Sequence, residues 1–372
     1  MAHIIHTADW QIGRQYGQFE IDDAAMLAEA RYETVARIAS LSAERHADAI
    51  VVAGDVFDTQ AVSDRTIRRL FEAMSAFKGP WVLIAGNHDA ALADSVWSRA
   101  HQLGCIGQNV HIPLRPGVVD LPAQNLAVLA APLTQRHTYD DTTAIFDSLE
   151  TQPGRFRVGL AHGSVSGKLP DTIDSANPIA ADRALRARLD YLALGDWHGT
   201  LNVDARTWYA GTPEADRFRS NDNGNILDVR LAAPGALPDV TSVAVGRYRW
   251  SLWAESMQLV SDAEAFAVRL RHVTSDDVVR VELSGQLPLG AWDVLNDLLA
   301  QAAARCRALL VDTAELSLVP DTDDLSSLGM TGYVSDVAAQ LQALQGNSDA
   351  AETARHALKL LVQFQRDKMG AL

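Results

Sequence analysis

The sequence is poor in cysteine and has no long hydrophobic run. Its two cysteines, Cys105 and Cys306, lie far apart and lack a Cys-x-x-Cys spacing. This excludes a disulfide framework and a cysteine-rich zinc site. No apolar stretch approaches the ~18–20 residues that cross a bilayer. The first residues, MAHIIHTADW, lack the basic and apolar regions of a secretory signal. We therefore expect a cytoplasmic protein with no membrane partner.

Positive charge is also scarce. The chain has 32 Lys and Arg against 47 Asp and Glu, a formal net charge of −15. This balance argues against a protein that coats nucleic acid nonspecifically. A nucleic-acid substrate would need a local basic patch or bound metal ions. With 372 residues, 48% of them hydrophobic, the chain is expected to form two or three globular domains.

The first half of the chain alternates short apolar runs with stretches of helical spacing. Apolar runs at Ile4-Ile5, 49–53 and 81–85 have the length and composition of strands that are buried on both faces. Helical periodicity over 24–46 and 63–77 separates these runs. Strand–helix–strand alternation predicts a layered α/β domain with parallel strand pairing.

Further strand-like runs continue to about residue 245, where the pattern changes. We predict a first domain over 1–245, a small α+β domain over 246–325 and C-terminal helices over 326–372. Within the last region, apolar residues at helical spacing predict helices over 334–345 and 350–369.

Polar residues of the types that bind metals follow five of the apolar strands. In chain order they are Asp9-Trp10-Gln11, Gly54-Asp55, Gly86-Asn87-His88-Asp89, His162 and Gly195-Asp196-Trp197-His198. In open α/β sheets the loops beyond the carboxyl ends of the strands converge on one crevice. The mixture of carboxylate, amide and imidazole suits a pair of divalent cations better than a thiolate-bound metal. Two ions ~3.5–4 Å apart can clamp a phosphoryl group and activate a water.

The order of these motifs resembles that of the calcineurin-like, binuclear metallophosphoesterase superfamily. Within it, HTADWQIG, VVAGDVFD, LIAGNHD, LAHGS and YLALGDWHG most resemble the SbcD-type subunit of bacterial double-strand-break nuclease complexes. The segment YAGTPEADRF also looks like the one that follows the last metal motif there. The resemblance covers residues 1 to about 230. It implies a layered β-sandwich flanked by helices, followed by a small α+β cap domain and C-terminal helices.

The resemblance implies two sets of metal ligands that share Asp55. One ion would be held by Asp9, Gln11, Asp55 and His198. The other would be held by Asp55, Asn87, His162 and Asp196. His88 corresponds to the family histidine that supports the transition state or protonates the leaving oxygen, and we expect Asp89 to orient it.

Two positions depart from the family pattern. Gln11 stands where the first motif usually has a histidine, and Asp196 replaces the first histidine of the last motif. Both changes replace nitrogen with oxygen, which favours Mn²⁺, with Mg²⁺ or Fe²⁺ as alternatives. We predict that both residues bind metal. The alternatives are a non-ligating amide at Gln11 and a carboxylate outside the ligand set at Asp196.

The substrate and the partners follow from the same resemblance. We predict a metal-dependent phosphodiesterase that acts as a DNA repair exonuclease or endonuclease by a two-metal mechanism. Candidate phosphate contacts near the motif loops are Arg14, Lys168, Arg217 and Arg219. The resemblance also implies a homodimer and a coiled-coil ATPase partner of the SbcC type.

Two other functions stay open at this point. One is a phosphatase or phosphodiesterase for nucleotides or other small phosphoesters, which the overall acidity fits as well. The other is a binding subunit that keeps the fold without catalysis, which Gln11 and Asp196 motivate.

Overall fold

The structure is a computed structural model that divides the chain into two compact units, Met1–Arg249 and Trp250–Leu372. The described residues are 1–168, 176–219, 221–319, 332–344, 353–354, 356–358, 360–361 and 364. The predicted helix over 350–369 lies mostly outside them. The predicted domain boundary at residue 245 stays a prediction. The further division of the second unit into a cap domain and separate helices stays a prediction.

The described residues of the first unit form fourteen strands and four α-helices. The strands are β1 (Ala2–Thr7), β2 (Ala49–Val52), β3 (Trp81–Leu83), β4 (Val110–His111), β5 (Gly117–Leu121), β6 (Leu126–Ala131), β7 (Phe156–His162), β8 (Ser164–Val165), β9 (Pro178–Ile179), β10 (Tyr191–Gly195), β11 (Leu201–Asn202), β12 (Thr207–Tyr209), β13 (Asn225–Leu231) and β14 (Asp239–Ala244). The α-helices are α1 (Ile21–Glu44), α2 (Asp64–Ala73), α3 (Val96–Gln102) and α4 (Arg183–Arg186). Short 3-10 helices lie at Met74–Ala76, Pro122–Gln124 and Thr142–Asp147.

Twelve of these strands form two six-stranded sheets. The first sheet has the order β14-β13-β1-β2-β3-β4, and the second has the order β11-β12-β10-β7-β6-β5. Strands β1 to β4 pair in parallel, as do β6, β7, β10 and β12. The predicted parallel pairing is therefore confirmed, and the carboxyl ends of the parallel strands within each sheet lie on one edge.

The two sheets pack face to face, with helices on the outer face of the first sheet. In β1, the side chain of Ile4 joins the core between the sheets, whereas Ile5 joins the core under α1 and α2. Neighbouring residues of a strand point to opposite faces, so a strand covered on both sides is apolar throughout. Helix α1 contributes Val35 and Ile38 to the outer core. The predicted fold class, a layered α/β sandwich flanked by helices, is confirmed.

The second unit is a small α+β assembly. Its elements are β15 (Arg249–Met257), α5 (Val260–Leu270), β16 (Asp277–Pro288), α6 (Leu289–Ala303), β17 (Ala308–Val319) and α7 (Tyr333–Leu344). The strands form one sheet in the order β15-β16-β17, with β16 and β17 parallel. Phe266, Leu295 and Val281 share its apolar core. Among the helices of the described residues, none has the length and apolar composition of a membrane span.

Candidate metal centre

The predicted site residues follow the carboxyl ends of strands from both sheets. The two sheets meet there through hydrogen bonds. The backbone N–H of Asp196, after β10, donates to a carboxylate oxygen of Asp9, after β1, at 3.1 Å. The ring Nδ1 of His162, at the end of β7, lies 2.8 Å from the carbonyl oxygen of Ala53, after β2. Residues distant in the sequence therefore converge at one edge of the sandwich.

Four of the predicted site residues have positive φ angles. The values are 53° at Asp9, 46° at Gln11, 49° at Asp55 and 101° at Asp196. Non-glycine residues rarely adopt this region, and each instance costs on the order of 1–3 kcal/mol. The fold sustains this strain at the residues predicted to carry the chemistry, which is the usual place for it.

Glycines allow the loops to approach this edge closely. A Cβ atom on Gly86 would lie 2.3 Å from the Oδ1 atom of Asp55, and one on Gly54 would lie 2.4 Å from the Nδ1 atom of His162. Gly54 also has φ +87°. Both positions thus need glycine, because a side chain there would displace a predicted ligand.

Asp9, Asp55 and His162 form the centre of the cluster. One potential ligand atom from each lies within 4.8 Å of the others, and all three residues are buried. Two carboxylates and one imidazole are donors that hold a divalent cation in proteins.

The ring of His162 is oriented for metal binding. A carbonyl oxygen can only accept, so the contact with Ala53 fixes the proton of the neutral ring on Nδ1. The Nε2 lone pair then points into the cluster, 3.5 Å from Asp55 and 3.7 Å from Asp196. Burial lowers the pKa of His162, but the carboxylates of Asp55, Asp196 and Asp9 outweigh it and raise the value to about 9. A divalent cation would take the place of the proton that these carboxylates attract.

The side-chain amide of Asn87 lies beside His162 and Asp55. Its Oδ1 atom lies 2.9 Å from the Nε2 atom of His162, and the same atom lies 3.3 and 3.2 Å from the two carboxylate oxygens of Asp55. An amide oxygen among other acceptors is stabilised by a cation at their centre. Turning the amide round would instead place its N–H groups on those acceptors. Among the protein side chains alone this second orientation satisfies both ends of the amide, and a bound cation would favour the first.

The carboxylate of Asp9 also fits a cation. The side chain is fully buried, and its burial raises the pKa of Asp9 to about 7, against the opposing effect of the His198 and His162 rings. A buried carboxylate beside two others needs a positive charge to stay ionised at neutral pH. A pair of bound cations would supply that charge.

Asp196 reaches the same cluster. Its Oδ2 atom accepts a hydrogen bond from the hydroxyl of Ser164 at 3.1 Å, and its Oδ1 atom is the one that lies 3.7 Å from His162. Burial raises the pKa of Asp196, as it does for Asp9. The position suits a ligand, and ligation by Asp196 stays a prediction.

Gln11 lies at the site with its amide nitrogen inward. Its Oε1 atom accepts a hydrogen bond from the guanidinium of Arg14 at 2.8 Å. Its Nε2 atom lies 3.1 Å from the Nε2 atom of His198. In this orientation the oxygen that would bind an ion is engaged by Arg14, so ligation by Gln11 stays a prediction that requires the amide to turn.

Asp216 is a site residue that the sequence reasoning missed. Its carboxylate lies 3.1 Å from the Nδ1 atom of His198. Burial raises the pKa of Asp216, but the bond to His198 and the charges of His198, Arg31 and Arg217 lower it well below its usual range. A carboxylate behind a histidine orients the ring toward a metal. The motif YAGTPEADRF contains this residue, but nothing in its spacing singles out the carboxylate.

His88 lies at the rim of the cluster. Its Nδ1 atom lies 2.8 Å from the carbonyl oxygen of Asp58, so the neutral ring carries its proton there. The Nε2 atom lies 3.9 Å from Asp55, and the side chain is 31% exposed. His88 therefore has one nitrogen held by the protein and the other available at the rim.

Asp89 does not have the contact that we expected. Its carboxylate accepts hydrogen bonds from the backbone N–H groups of Val56, Phe57 and Gly86 at 2.9, 3.1 and 2.7 Å. The carbonyl of Asp58, and not Asp89, holds the ring of His88. We correct the expectation accordingly: Asp89 ties two of the metal loops together through their backbones.

The predicted phosphate contacts lie in different environments. Arg14 is mostly buried and lies 3.3 Å from Asp58 and 3.5 Å from Asp216. Arg217 also pairs with Asp216, at 3.1 Å, and is more exposed. Lys168 and Arg219 are exposed loop residues.

A cavity of about 480 Å³ opens beside His88, and sequence reasoning did not anticipate one of its basic residues, Arg136. The lining residues are Arg14, Asp58, Thr59, Gln60, Asn87, His88, Ala90, Leu92 and Arg136. Nothing in the sequence marks Arg136, since it lies in a loop away from the metal motifs.

Comparison with known families agrees with this geometry. The profile of the family described as calcineurin-like phosphoesterase matches residues 2–231, so the chain belongs to this family. The predicted superfamily is confirmed, and with it the class of metal-dependent phosphoesterase.

A curated relative and a solved structure are similar to this chain. The SbcD component of the nuclease SbcCD of Bacillus subtilis (strain 168) is 28% identical over 270 residues, which cover 62% of this chain and 66% of the relative, slightly less than two thirds. The crystal structure of TT1561 of Thermus thermophilus matches with a TM-score of 0.42 and 12% identity, over 66% of this chain and 99% of that one. At that TM-score the likeness adds nothing to the family assignment.

Proposed function

We propose that this protein hydrolyses phosphodiester bonds of DNA with two divalent ions, Mn²⁺ being the preferred metal. The observation that carries the proposal is the buried convergence of Asp9, Asp55 and His162 at the edge of the sandwich, next to the cavity that His88 lines. Buried donors beside an open cavity place a cation where a substrate phosphate can reach it.

One group of side chains would bind the two ions, and His88 would transfer a proton. Asp55 would bridge the two ions, with Asp9 and His198 on one side and Asn87, His162 and Asp196 on the other. When bound, the ions would supply positive charge to the phosphoryl oxygens and acidity to the attacking water.

His88 is the residue placed to protonate the leaving oxygen. The Nδ1 atom of His88 lies 2.8 Å from the carbonyl oxygen of Asp58, which keeps a proton on that nitrogen. Only Nε2 can therefore take up and release a proton at the rim. The imidazolium form would donate that proton to the leaving oxygen and later regain it from solvent. The partial exposure of the ring gives substrate access to this nitrogen.

The cavity supports a substrate with more than one phosphate. Arg14 and Arg136 both line it, in a chain whose net charge is −15. Arginines beside the reacting phosphate suit the neighbouring phosphates of a nucleic-acid strand. The chain as a whole is acidic, so binding DNA requires positive charge at the site. The basic residues of the cavity and the metal ions together would supply that charge.

The similarity to a nuclease component supports the same substrate. The relative is named for its place in the SbcCD nuclease. By this analogy we propose a coiled-coil ATPase of the SbcC type as a partner, a homodimer as the assembly and the cytoplasm as the location.

A second candidate is a phosphodiesterase for nucleotides or other small phosphoesters. The cavity volume of about 480 Å³ favours it, because this size is typical of small-molecule sites. The third function, a binding subunit without catalysis, is opposed by the presence of Asn87, His88 and His162 in positions that suit the reaction.

Hydrolysis assays with the Mn²⁺-loaded protein separate the three candidates. The substrates are linear double- and single-stranded DNA, plasmid DNA, a cyclic nucleotide and bis(p-nitrophenyl) phosphate. We expect DNA cleavage that is lost in Asp55→Asn together with bound metal, and strongly reduced in His88→Ala with metal retained. Hydrolysis of the small diesters without DNA cleavage would favour the second candidate. Metal binding without any hydrolysis would favour the binding subunit.

A further inference from the structure

Residues 134–140 form a loop beside the candidate metal centre. It begins directly after Leu133, whose backbone N–H donates to the carbonyl oxygen of Ala85 at 3.0 Å. The carbonyl oxygen of Leu133 accepts a hydrogen bond from the backbone N–H of Ala91 at 2.8 Å. Ala85 and Ala91 lie on either side of the motif that contains His88. The start of the 134–140 loop is therefore fixed to a segment of the metal centre.

The side chain and backbone of Asn177 hold the middle of the loop. The Oδ1 atom of Asn177 accepts hydrogen bonds from the backbone N–H of Thr138 at 2.8 Å and from its hydroxyl at 3.1 Å. The amide nitrogen donates to the carbonyl oxygen of Arg136 at 3.2 Å, and the backbone N–H donates to that of Thr138 at 3.0 Å. Asn177 is 3% exposed and has a φ of 59°, which asparagine adopts more readily than most residues.

Asn177 also connects the loop to a second segment of the metal centre. Its carbonyl oxygen accepts a hydrogen bond from the backbone N–H of Ser164 at 3.0 Å. The hydroxyl of Ser164 in turn donates to the carboxylate of Asp196 at 3.1 Å. The backbone of the 134–140 loop is thus attached to two segments that carry predicted site residues.

The side chains of this fixed loop are mostly exposed. Tyr139 is 93% exposed. Single exposed aromatic side chains are common on protein surfaces. This one differs because a fixed backbone presents it near Arg136, which lines the cavity together with His88. Three residues of chain separate the Cα atoms of Arg136 and Tyr139 by at most about 11 Å.

A guanidinium and an aromatic ring side by side are complementary to a nucleotide. Arginine forms charge-assisted hydrogen bonds with a phosphate, and an aromatic ring stacks on a base of any identity. A base can stack on a side chain only when it is outside the duplex stack. The pair of side chains therefore suits an unpaired nucleotide, and a diester without a base could use only the arginine.

We propose that the 134–140 loop binds an unpaired nucleotide next to the scissile phosphate, with Arg136 at its phosphate and Tyr139 stacked on its base. Asn177 is a positioning residue that holds both side chains beside the metal centre. The inference rests on the proposed function, since it takes the substrate of that centre to be a nucleic-acid strand.

Two single-stranded substrates of equal length test the contact between Tyr139 and a base. One is a thymidine oligonucleotide, and the other has the same number of phosphates but only abasic residues. With the Mn²⁺-loaded full chain, Tyr139→Ala is expected to raise KM for the thymidine oligonucleotide by about tenfold. The rise for the abasic one should be less than about twofold. Tyr139→Phe keeps the ring, so its KM should stay within about twofold of the wild type.

Three outcomes would overturn the base contact. They are an equal KM for the thymidine oligonucleotide in wild type and Tyr139→Ala, an equal rise on both substrates, and a rise in Tyr139→Phe as large as in Tyr139→Ala. Each contradicts this inference while cleavage by the wild type still supports the proposed function. Failure of the wild type to cleave the thymidine oligonucleotide would contradict the proposed function as well.

Asn177→Asp tests the positioning role. The aspartate keeps the size of the side chain and its acceptor for Thr138, but it cannot donate to the carbonyl of Arg136. We expect KM for the thymidine oligonucleotide to rise at least about threefold, with kcat and bound Mn²⁺ unchanged. Because Asn177 acts through the loop, adding Tyr139→Ala to Asn177→Asp should raise KM less than Tyr139→Ala does alone. Independent effects of the two substitutions, or a fall in kcat together with loss of metal, would contradict the positioning role.

Discussion

The Nδ1 atom of His198 lies 3.1 Å from a carboxylate oxygen of Asp216, although the two residues belong to different loops. The carboxylate is 1% exposed. It therefore fixes the ring without contact with solvent, and leaves Nε2 as the nitrogen that can face an ion.

Loss of this carboxylate is expected to weaken metal binding at His198. Asp216→Asn removes the charge that stabilises the ring orientation, so the affinity for Mn²⁺ at the position of His198 should fall by about 10–100-fold. Calorimetric titration measures the change. Asp239→Asn, an exposed substitution on β14, serves as the control, and equal affinities in the two variants would contradict the role of Asp216.

Because the ring of His6 is buried, we expect the protein to lose stability in acid. The ring is buried between the hydroxyl of Tyr191 at 2.9 Å and the carbonyl of Leu194 at 3.2 Å. Burial lowers the pKa of His6 to about 3, against a slight rise from the bond to Leu194. The unfolded chain takes up this proton near pH 6.5, so the contribution of His6 is complete above that pH. It is lost as the pH falls from about 6.5 toward 3, by at most about 1.4 kcal/mol per pH unit.

Urea unfolding between pH 7 and pH 4.5 tests the contribution of His6. His6→Gln has no titrating ring, so its free energy of unfolding should fall less steeply with decreasing pH than that of the wild type. The difference between the two slopes isolates His6 from the carboxylates that titrate in the same range. Parallel curves for the two proteins would show that His6 has no such effect.

Asp89 is expected to act on stability rather than on proton transfer. It accepts hydrogen bonds from three backbone N–H groups, and Asp89→Asn can keep only part of this set. Leaving a buried donor unsatisfied costs about 1–3 kcal/mol. We expect a decrease of this size in the free energy of unfolding, measured in urea, with the pH dependence of kcat unchanged. A shifted pH profile at full stability would instead indicate that Asp89 acts through His88.

Arg136 is expected to bind a phosphate next to the scissile one. Arg136→Glu should raise KM for a DNA oligonucleotide by about tenfold. It should also reduce the slope of log binding constant against log salt concentration by about one, the value for one phosphate contact. KM for bis(p-nitrophenyl) phosphate, which has a single phosphate, should rise much less. Arg115→Glu, in an exposed loop, is the matched control. An equal rise in KM for both substrates would argue against a second phosphate in the cavity.

The sequence predicted the convergence of the site because that convergence depends on local patterns. Apolar runs such as 49–53 identify strands buried on both faces, and the parallel pairing of β1, β2 and β3 brings their ends to one edge. Asp9 and Asp55 follow those ends directly, so their meeting required only the correct sheet order.

The sequence could not predict contacts that depend on the relative heights and tilts of loops. Gln11 was expected to present an oxygen, but the guanidinium of Arg14 selects the other orientation. Asp89 was expected to contact the adjacent His88, but the backbone N–H groups of a neighbouring loop lie closer to it. Asp216 has no spacing signal, because its partner lies in another loop.

The central claim is that the buried cluster holds divalent ions for phosphodiester hydrolysis. The most direct test counts bound manganese and measures the rate of bis(p-nitrophenyl) phosphate hydrolysis in the same samples of wild type and Asp55→Asn. The account predicts that the wild type loses activity on chelation and regains it with Mn²⁺, and that Asp55→Asn loses bound metal and at least about 100-fold in rate. Equal metal content and equal rate in the two proteins would contradict it.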